Sequence, residues 1–377
     1  MATGDRAGRI VLFKADDSAK DNEAWVPFYQ FQSHDTEVDH LNSLEVEAKI
    51  NQLQFVPSAG ERVLILSAND KHIKLWRVGE SSVYEPCASE CLNRIKTPEN
   101  LRLPQITDDF EIFSTLKRSY NNAHSYHINH IELNCHDESF ISNDDLRINL
   151  WRFEDHRQGL NIVDIKPKSM EDLSEVITST AFHPKEGNIF AYSTSRGCIK
   201  VHDLRQSTIC NKFRLYESEK VDSKSETGFG SELISSISDI KFSPDGKYMV
   251  TRDYMTLKVW DVYNTGKPVE VIPVHPQLEP LLSDLYEAEN IFDKFTTSVS
   301  QCSTMALTGS YNNKFMIKGL DGSTIYQSSL PDVNGTVKSW DDNQDIDTEE
   351  RVVYSAWHPS GRSFAVAGMC SLHLYSI

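Results

Sequence analysis

The chain has 377 residues, of which 39% are hydrophobic and 25% are charged, as is typical of a globular protein with a substantial core. Acidic residues outnumber basic ones 55 to 38, and the net charge of −17 argues against non-specific nucleic-acid binding, which requires a basic surface. The sequence contains no run of about 18 apolar residues, so we predict no membrane span. The seven cysteines are irregularly spaced, which favours a reducing cytoplasmic or nuclear environment over a disulfide framework.

Three segments of the chain repeat one pattern: an apolar alternating run, a turn, a second short β-rich run, another turn and a third run. They span residues 178–204, 236–262 and 353–377. Alternation at period two is typical of half-buried strands, and turns such as Pro244-Asp245-Gly246 are typical of hairpins. Self-similarity at this spacing indicates a repeat architecture.

The third run of each repeat ends on an anchor residue, most often aromatic, and weaker copies extend the series along the chain. The anchors are Phe13, Trp76, Trp151, His202, Trp260, Lys318 and Tyr375. Every interval exceeds the roughly 40–45 residues of a WD-type blade, so each repeat carries a loop insertion. Seven anchors predict an all-β fold, a seven-bladed WD-repeat β-propeller that forms one domain over residues 1–377. We interpret the tryptophan anchors as core packing residues.

Several insertions interrupt the repeats. Apolar residues at helical spacing predict short helices at 37–49 and 277–289, and a capped turn at 168–177, where Ser169 is the candidate cap. Residues 79–110 form a candidate inserted hairpin or loop. Residues 319–350 are polar and acidic, and we interpret them as a mobile acidic linker within the propeller.

The sequence offers no catalytic or metal-binding signature. His124, His127 and His130 are three residues apart, a spacing that alternates faces on a strand, so they cannot converge on one metal ion. Cys87 and Cys91 lack a second pair at zinc-finger spacing. We therefore predict a protein that is not an enzyme and holds no metal or cofactor.

Six stretches between and within the repeats are not generic WD-repeat sequence. They are residues 37–51, 121–151, 161–178, 231–254, 291–295 and 307–313. In order and over essentially the whole chain, they resemble the B-type (55-kDa class) regulatory subunits of protein phosphatase 2A. The resemblance implies a non-catalytic subunit that binds the phosphatase scaffold (A) and catalytic (C) subunits and selects phosphoprotein substrates. The alternative is a generic WD-repeat scaffold or adaptor in another complex, which would have no reason to carry these stretches.

The resemblance also implies which residues contact substrates. The residues that match the substrate-facing surface of the family are Asp145, Leu173, Val176, Tyr286, Glu287 and Lys294. An exposed carboxylate such as Asp145 can pair with basic side chains, and an apolar pair can receive a helix, so we expect substrates with basic or helical segments. Alternative interpretations place Leu173 and Val176 in the core. Asp144 is a candidate turn residue that binds the local backbone.

Two further expectations follow from the resemblance. The 79–110 insertion matches the family's scaffold-binding hairpin by position, with Leu101, Leu103, Pro104 and Ile106 as its apolar part; the alternative is an unstructured loop. Met1 falls on the second strand of the family's first blade, and the last repeat stops at its third strand. We therefore expect an N-terminal truncation that leaves the first blade and the closure of the last blade incomplete.

Overall fold

A computed structural model describes most of the chain. The described residues are 1–15, 25–39, 44–57, 63–84, 106–121, 124–136, 138–155, 159–206, 213–217, 231–264, 266–331 and 346–376. They divide into two compact units, Met1–Ala123 and His124–Ile377. In the described part, no helix is both long enough and apolar enough to cross a membrane.

The first unit contains nine described strands in three antiparallel sheets. The strands are β1 (Ala2–Gly4), β2 (Arg9–Ala15), β3 (Trp25–Gln32), β4 (Glu37–Asp39), β5 (Leu44–Val46), β6 (Gln52–Val56), β7 (Val63–Ala68), β8 (Ile73–Tyr84) and β9 (Ile106–Tyr120). β1–β3 and β6–β9 form sheets of three and four strands, and β4 pairs with β5. Ile10, Leu12, Ile65 and Val78 form the core between the two larger sheets.

The second unit contains nineteen described strands and two short α-helices. Its first three sheets comprise β10 (His130–Leu133), β11 (Ser139–Asn143), β12 (Arg147–Arg152) and β13 (Leu160–Asp164); β14 (Ile177–Phe182), β15 (Ile189–Thr194), β16 (Cys198–Asp203) and β17 (Arg214–Glu217); and β18 (Asp239–Phe242), β19 (Tyr248–Arg252), β20 (Thr256–Asp261) and β21 (Glu270–Pro273). The last two comprise β22 (Thr297–Val299), β23 (Met305–Gly309), β24 (Lys314–Gly319) and β25 (Thr324–Ser329); and β26 (Tyr354–Trp357), β27 (Ser363–Ala367) and β28 (Leu372–Ser376). The helices are α1 (Ser231–Ile234) and α2 (Leu282–Glu287).

The predicted fold class is confirmed. Leaving aside the β4–β5 pair, the described residues form seven small antiparallel sheets, which are the blades of a WD-repeat β-propeller. Six of the seven anchors lie on the third strand of their sheet; Phe13 lies on β2, in the middle of a three-stranded sheet. The first and last of these sheets have three strands each among the described residues, and the other five have four.

Apolar residues from adjacent sheets pack together, because one small sheet cannot bury both of its faces alone. Between the sheets β14–β17 and β18–β21, for example, Ala191 and Val201 pack in one cluster with Met249 and Trp260. Trp260 is completely buried, and its indole N–H donates to the Thr251 hydroxyl at 2.9 Å. Replacement of such a residue by alanine costs about 3–5 kcal/mol, so the interpretation of this anchor as a core residue holds.

The strand order defines two edges for each blade of the second unit. In an antiparallel meander, the start of the first strand and the turn from the second to the third strand lie at the same edge. We call this side of each blade, which is formed by strand ends and loops, the upper edge; it is distinct from the edge strands of the sheets. An Asx turn stabilises it in two blades: Asp144 accepts from the Leu146 and Arg147 amides, and Asp253 accepts from Thr256. The role predicted for Asp144 is thereby confirmed.

The structure corrects three of the predicted insertions. In the predicted helix at 37–49, β4 and β5 form an antiparallel strand pair instead, with Glu37 opposite Val46. In the predicted turn at 168–177, only Met170–Asp172 are helical, and the side chain of Ser169 makes no capping hydrogen bond. Part of the predicted 319–350 linker is the edge strand β25, and residues 332–345 lie outside the described part.

The helical prediction at 277–289 is confirmed. A 3₁₀ helix at Pro276–Leu281 continues directly into α2, and a second short 3₁₀ helix, Asn290–Phe292, follows it. This segment joins β21 to β22, and therefore lies at the upper edge. We call residues 276–294 the helical platform.

Candidate functional site

Asp145 occupies the turn between β11 and β12 at the upper edge. The backbone of this turn is held from two sides: the Asp144 carboxylate binds it from within, and the Ile177 amide donates to the Asp145 carbonyl at 2.8 Å. The Asp145 side chain is half-buried, and its Oδ1 accepts from the Asn129 side-chain amide at 2.8 Å. The carboxylate is therefore fixed in position.

A buried hydrogen-bond network lies directly beneath this turn. His124 Nδ1 lies 3.0 Å from the Asp144 carboxylate, and its Nε2 lies 2.6 Å from the Ser142 hydroxyl, which also accepts from the Trp151 indole at 2.9 Å. Burial raises the pKa of the Asp144 carboxyl, but hydrogen bonds from His124 and from two backbone amides outweigh it and bring that pKa below its usual value. The network ties the Asp145 turn to the Trp151 anchor.

Lys294 reaches the same place from another blade. It is exposed, it ends the helical platform, and its Nζ donates to the Asn129 Oδ1 at 3.1 Å. Asn129 precedes β10 and is half-buried. The structure thus brings Asp145 and Lys294 together through one amide side chain, which the sequence analysis did not identify.

Val176 lies beside this group and Leu173 lies three residues before it. Val176 is held by paired bonds with Ser195: its amide donates to the serine hydroxyl at 3.1 Å, and its carbonyl accepts from the Ser195 amide at 3.0 Å. Both apolar side chains are half-buried, so neither belongs wholly to the core. The nearby Met170 is 48% exposed and enlarges the apolar area of this segment.

The helical platform presents Tyr286 and Glu287. Both side chains are exposed. Other residues of the platform, Leu278, Leu285 and Ile291, are buried in the core beneath it. The Tyr286 ring lies 6.2 Å from the ring of Phe292, which is 56% exposed. Phe292 is a second candidate contact residue that the sequence analysis missed, although it is an aromatic side chain within the matched stretch 291–295 and could have been noticed there.

The platform is anchored by a polar cluster within the core. The Tyr311 hydroxyl bonds the Asn290 carbonyl at 2.9 Å and the Asp293 carboxylate at 2.8 Å, and Arg351 reaches the same carboxylate at 2.7 Å. Burial raises the pKa of Tyr311, so its hydroxyl remains a donor. Since Asp293 immediately precedes Lys294, this cluster also places the lysine.

The upper edge carries mainly negative charge around these residues. Exposed carboxylates on the segment 168–177 and on the helical platform are Glu171, Asp172, Glu279, Asp284, Glu287 and Glu289. The neighbouring Glu175 forms an ion pair with Lys200. An acidic surface with exposed aromatic and methionine side chains suits a partner that carries basic and apolar groups.

Three of the four candidate scaffold-binding residues, Leu101, Leu103 and Pro104, lie outside the residues that the structure describes. Ile106 is the first residue of β9. Strands β8 and β9 pair from Ile73 opposite Tyr120 out to Tyr84 opposite Ile106, so their outer halves extend into the 79–110 segment.

The candidate histidines have structural partners. His124 belongs to the network under Asp145, and buried His130 lies 3.2 Å from the ammonium of Lys241. Burial and that ammonium hold the pKa of His130 well below its usual value. Within the described ranges, no group of three or more metal-binding side chains occurs. Cys87 and Cys91 lie outside those ranges.

The fold defines a class of protein: a WD-repeat β-propeller. A model of the WD domain, G-beta repeat, matches residues 230–261. The B-type regulatory subunit of protein phosphatase PP2A from Schizosaccharomyces pombe is 41% identical over the whole chain and 90% of its own length. The PP2A 55 kDa regulatory subunit of Drosophila melanogaster is 38% identical over the whole chain and 80% of its length, and the beta isoform of the 55 kDa B-type regulatory subunit of Carassius auratus is 38% identical over the whole chain and 90% of its length. The chain belongs to the 55-kDa B-type regulatory subunit family of protein phosphatase 2A.

Proposed function

We propose that this chain is the non-catalytic regulatory subunit of a protein phosphatase 2A holoenzyme. It binds the scaffold and catalytic subunits, and it selects phosphoprotein substrates. The observation that carries this proposal is the 41% identity with a B-type regulatory subunit of PP2A over the entire chain. Catalysis belongs to the catalytic subunit of the holoenzyme.

Substrates bind at the upper edge of the second unit. Asp145 accepts a basic side chain, Leu173 and Val176 receive an apolar face, and Tyr286, Glu287 and Lys294 form the opposite side of the contact. The fixed carboxylate of Asp145 and the anchored helical platform support this role, because pre-organised groups lose little entropy on binding. The excess of exposed carboxylates favours substrates with basic or helical segments.

The phosphatase scaffold binds the hairpin of β8 and β9 together with the 79–110 segment. Its apolar residues Leu101, Leu103, Pro104 and Ile106 provide the contact. The protein works in the cytoplasm or nucleus, where Cys135, Cys198, Cys302 and Cys370, which are free thiols in the described part, remain reduced.

Charge reversal at one position tests the substrate role. Asp145→Lys should weaken binding of a Lys/Arg-rich amphipathic helical peptide to the assembled holoenzyme by at least tenfold, yet leave assembly intact. The matched control is Glu138→Lys, an exposed carboxylate in the turn between β10 and β11, at the opposite edge of the same blade. Loss of assembly in Asp145→Lys, or equal losses of peptide binding in the two variants, would contradict the assignment.

A further inference from the structure

A second segment of the chain, residues 346–352, packs against the helical platform. It leads into β26 and therefore lies at the upper edge, as the platform does. The side chain of Ile346 packs on the buried cluster that includes Leu278 and Leu285 of the platform. The Arg351 guanidinium reaches the Asp293 carboxylate at 2.7 Å, near the end of the platform. The 346–352 segment thus meets the platform through an apolar contact and an ion pair.

One turn holds both ends of the platform. Residues 310–313 join β23 to β24 at the upper edge. The Ser310 hydroxyl lies 2.9 Å from Nδ1 of His275, the residue before the platform, and the Tyr311 hydroxyl donates to the Asp293 carboxylate at 2.8 Å. The position of the platform therefore depends on the shape of this turn.

The 346–352 segment in turn holds the 310–313 turn. The Val352 amide donates to the Ser310 carbonyl at 3.0 Å, and the Asn313 amide donates to the Glu350 carbonyl at 3.0 Å. Asn312 and Asn313 both adopt the left-handed backbone conformation, with φ of 57° and 53°, which asparagine tolerates better than most residues. The segment, the turn and the platform form one connected group.

The ion pair between Arg351 and Asp293 is the direct polar link in this group. The side chains of Arg351 and Asp293 are only 24% and 16% exposed, so solvent screens their attraction less than that of a surface pair. The two residues are 58 positions apart in the chain. The pair therefore ties the end of the platform to a distant segment that is not part of the platform.

We propose that Arg351 is a positioning residue for substrate binding. Through Asp293, it holds the helical platform in the orientation that presents Tyr286 and Glu287. This inference rests on the proposed substrate-binding role of the platform, and it adds the 346–352 segment as the element that sets the affinity of that surface. Arg351 acts through Asp293 and not by contact with the substrate.

A set of variants separates positioning from a general structural role. Each one is assembled with the phosphatase scaffold and catalytic subunits, and the Kd of a fluorescent Lys/Arg-rich amphipathic helical peptide is measured together with hydrogen exchange. The variants are Arg351→Met, Arg351→Lys, Asp293→Asn, the double variant of Arg351→Met with Asp293→Asn, Arg362→Met and Asp145→Lys. Arg362 is the matched control, because it is an exposed arginine in the turn between β26 and β27, at the opposite edge of the adjoining blade.

We expect Arg351→Met to raise the peptide Kd about fivefold, because the end of the platform loses its link to the 346–352 segment. Hydrogen exchange across residues 282–293 should accelerate, while exchange in β14–β17 stays unchanged. Arg351→Lys should bind within about twofold of the wild type, since its ammonium can pair with one carboxylate oxygen. Arg362→Met should bind as the wild type does.

The double variant tests whether Arg351 acts through Asp293. Asp293→Asn removes the charge but keeps an oxygen acceptor for Tyr311. If the two charges act as a pair, adding Arg351→Met to Asp293→Asn should weaken binding no further, because the pair is already lost. Additive losses would show that the two residues act independently and would overturn the proposal.

Other results would also overturn the positioning role. They are a wild-type Kd in Arg351→Met, an equal loss in Arg351→Lys or in Arg362→Met, and exchange that accelerates as much in β14–β17 as in the platform. Failure of both Arg351→Met and the milder Arg351→Lys to assemble would show a general structural role and would overturn it too.

The Asp145→Lys variant distinguishes this inference from the proposed function. If Asp145→Lys binds the peptide as the wild type does, then the proposed substrate surface is wrong. If it loses binding while Arg351→Met keeps the wild-type Kd, then only the role of Arg351 is wrong.

Discussion

At the residue scale, Tyr311 links the core to the candidate site. Its hydroxyl contacts three groups: the Asn290 carbonyl, the Asp293 carboxylate and, at 3.0 Å, the hydroxyl of Tyr254. Burial raises the pKa of Tyr254 to about 12, so both phenols are neutral at physiological pH. The two neutral phenols are hydrogen-bonded to each other, and Tyr311 fixes the position of Asp293, which precedes Lys294.

We expect Tyr311→Phe to lower the free energy of unfolding by about 1–3 kcal/mol, because it removes the partner of the buried Tyr254 hydroxyl and a hydrogen bond to the Asp293 carboxylate, which keeps Arg351. Urea denaturation measures this change. The control is Tyr326→Phe, since Tyr326 is 43% exposed, and a surface substitution of this kind changes stability by no more than about 0.5 kcal/mol. Equal stability of wild type and Tyr311→Phe would contradict the role of the hydroxyl.

Asp144 makes a second residue-scale prediction, about acid. Its carboxyl has a lowered pKa in the folded protein, so its stabilisation is complete above the ordinary pKa of about 4 and is lost as the pH falls through the lower folded value. Asp144→Asn should therefore be less stable than the wild type at pH 7, by about 1–3 kcal/mol. The difference should shrink as the pH approaches 3.

Urea denaturation at a series of pH values from 7 to 3 provides the measurement. The control is Asp164→Asn, because Asp164 is partly exposed and pairs with the similarly exposed Arg147, so it should show a much smaller difference at every pH. A gap between Asp144→Asn and wild type that does not depend on pH would contradict the linkage.

At the element scale, the helical platform depends on a few buried side chains. α2 has only six residues, which is too short for an isolated helix to be stable, so packing must hold it. Leu285 is 5% exposed and provides the main contact of α2 with the core, together with Leu278 of the preceding 3₁₀ helix.

We expect Leu285→Ala to loosen the platform and expose its amides. Hydrogen exchange across residues 282–292 should accelerate at least tenfold, and peptide binding should weaken, because Tyr286 and Glu287 lose their fixed positions. The control is Leu281→Ala, since Leu281 is 37% exposed and lies on the same segment. Unchanged exchange in Leu285→Ala would contradict the dependence on packing.

The elements also differ in how far the sequence could predict them. The platform was predictable because its buried residues recur at helical spacing. The β4–β5 segment was not recognised, although Val46, the last residue of β5, is buried between the exposed Glu45 and Glu47. The same alternation continues after the strand through the buried Ala48 and Ile50, and it is the period of a strand. Helical spacing and strand spacing overlap in short apolar segments, and in this segment the strand pattern was the decisive one.

At the scale of the whole molecule, the repeated anchors predicted the blade architecture, because each repeat must bury its sheet against a neighbour. The contacts at the upper edge were harder to predict from the sequence. The bonds from Asn129 to Asp145 and Lys294 span 16 and 165 residues along the chain, and no local pattern encodes such contacts. The resemblance to a family supplied the candidate charges, and only the folded chain revealed the amide between them.

Assembly with the phosphatase is the property that most directly decides whether this chain acts as a regulatory subunit of protein phosphatase 2A. The full chain is mixed with the purified scaffold–catalytic core of the phosphatase, and the mixture is analysed by size-exclusion chromatography with light scattering. We expect a stable complex with one copy of each subunit. Separate elution of the chain and the core dimer at micromolar concentration would contradict the proposed function.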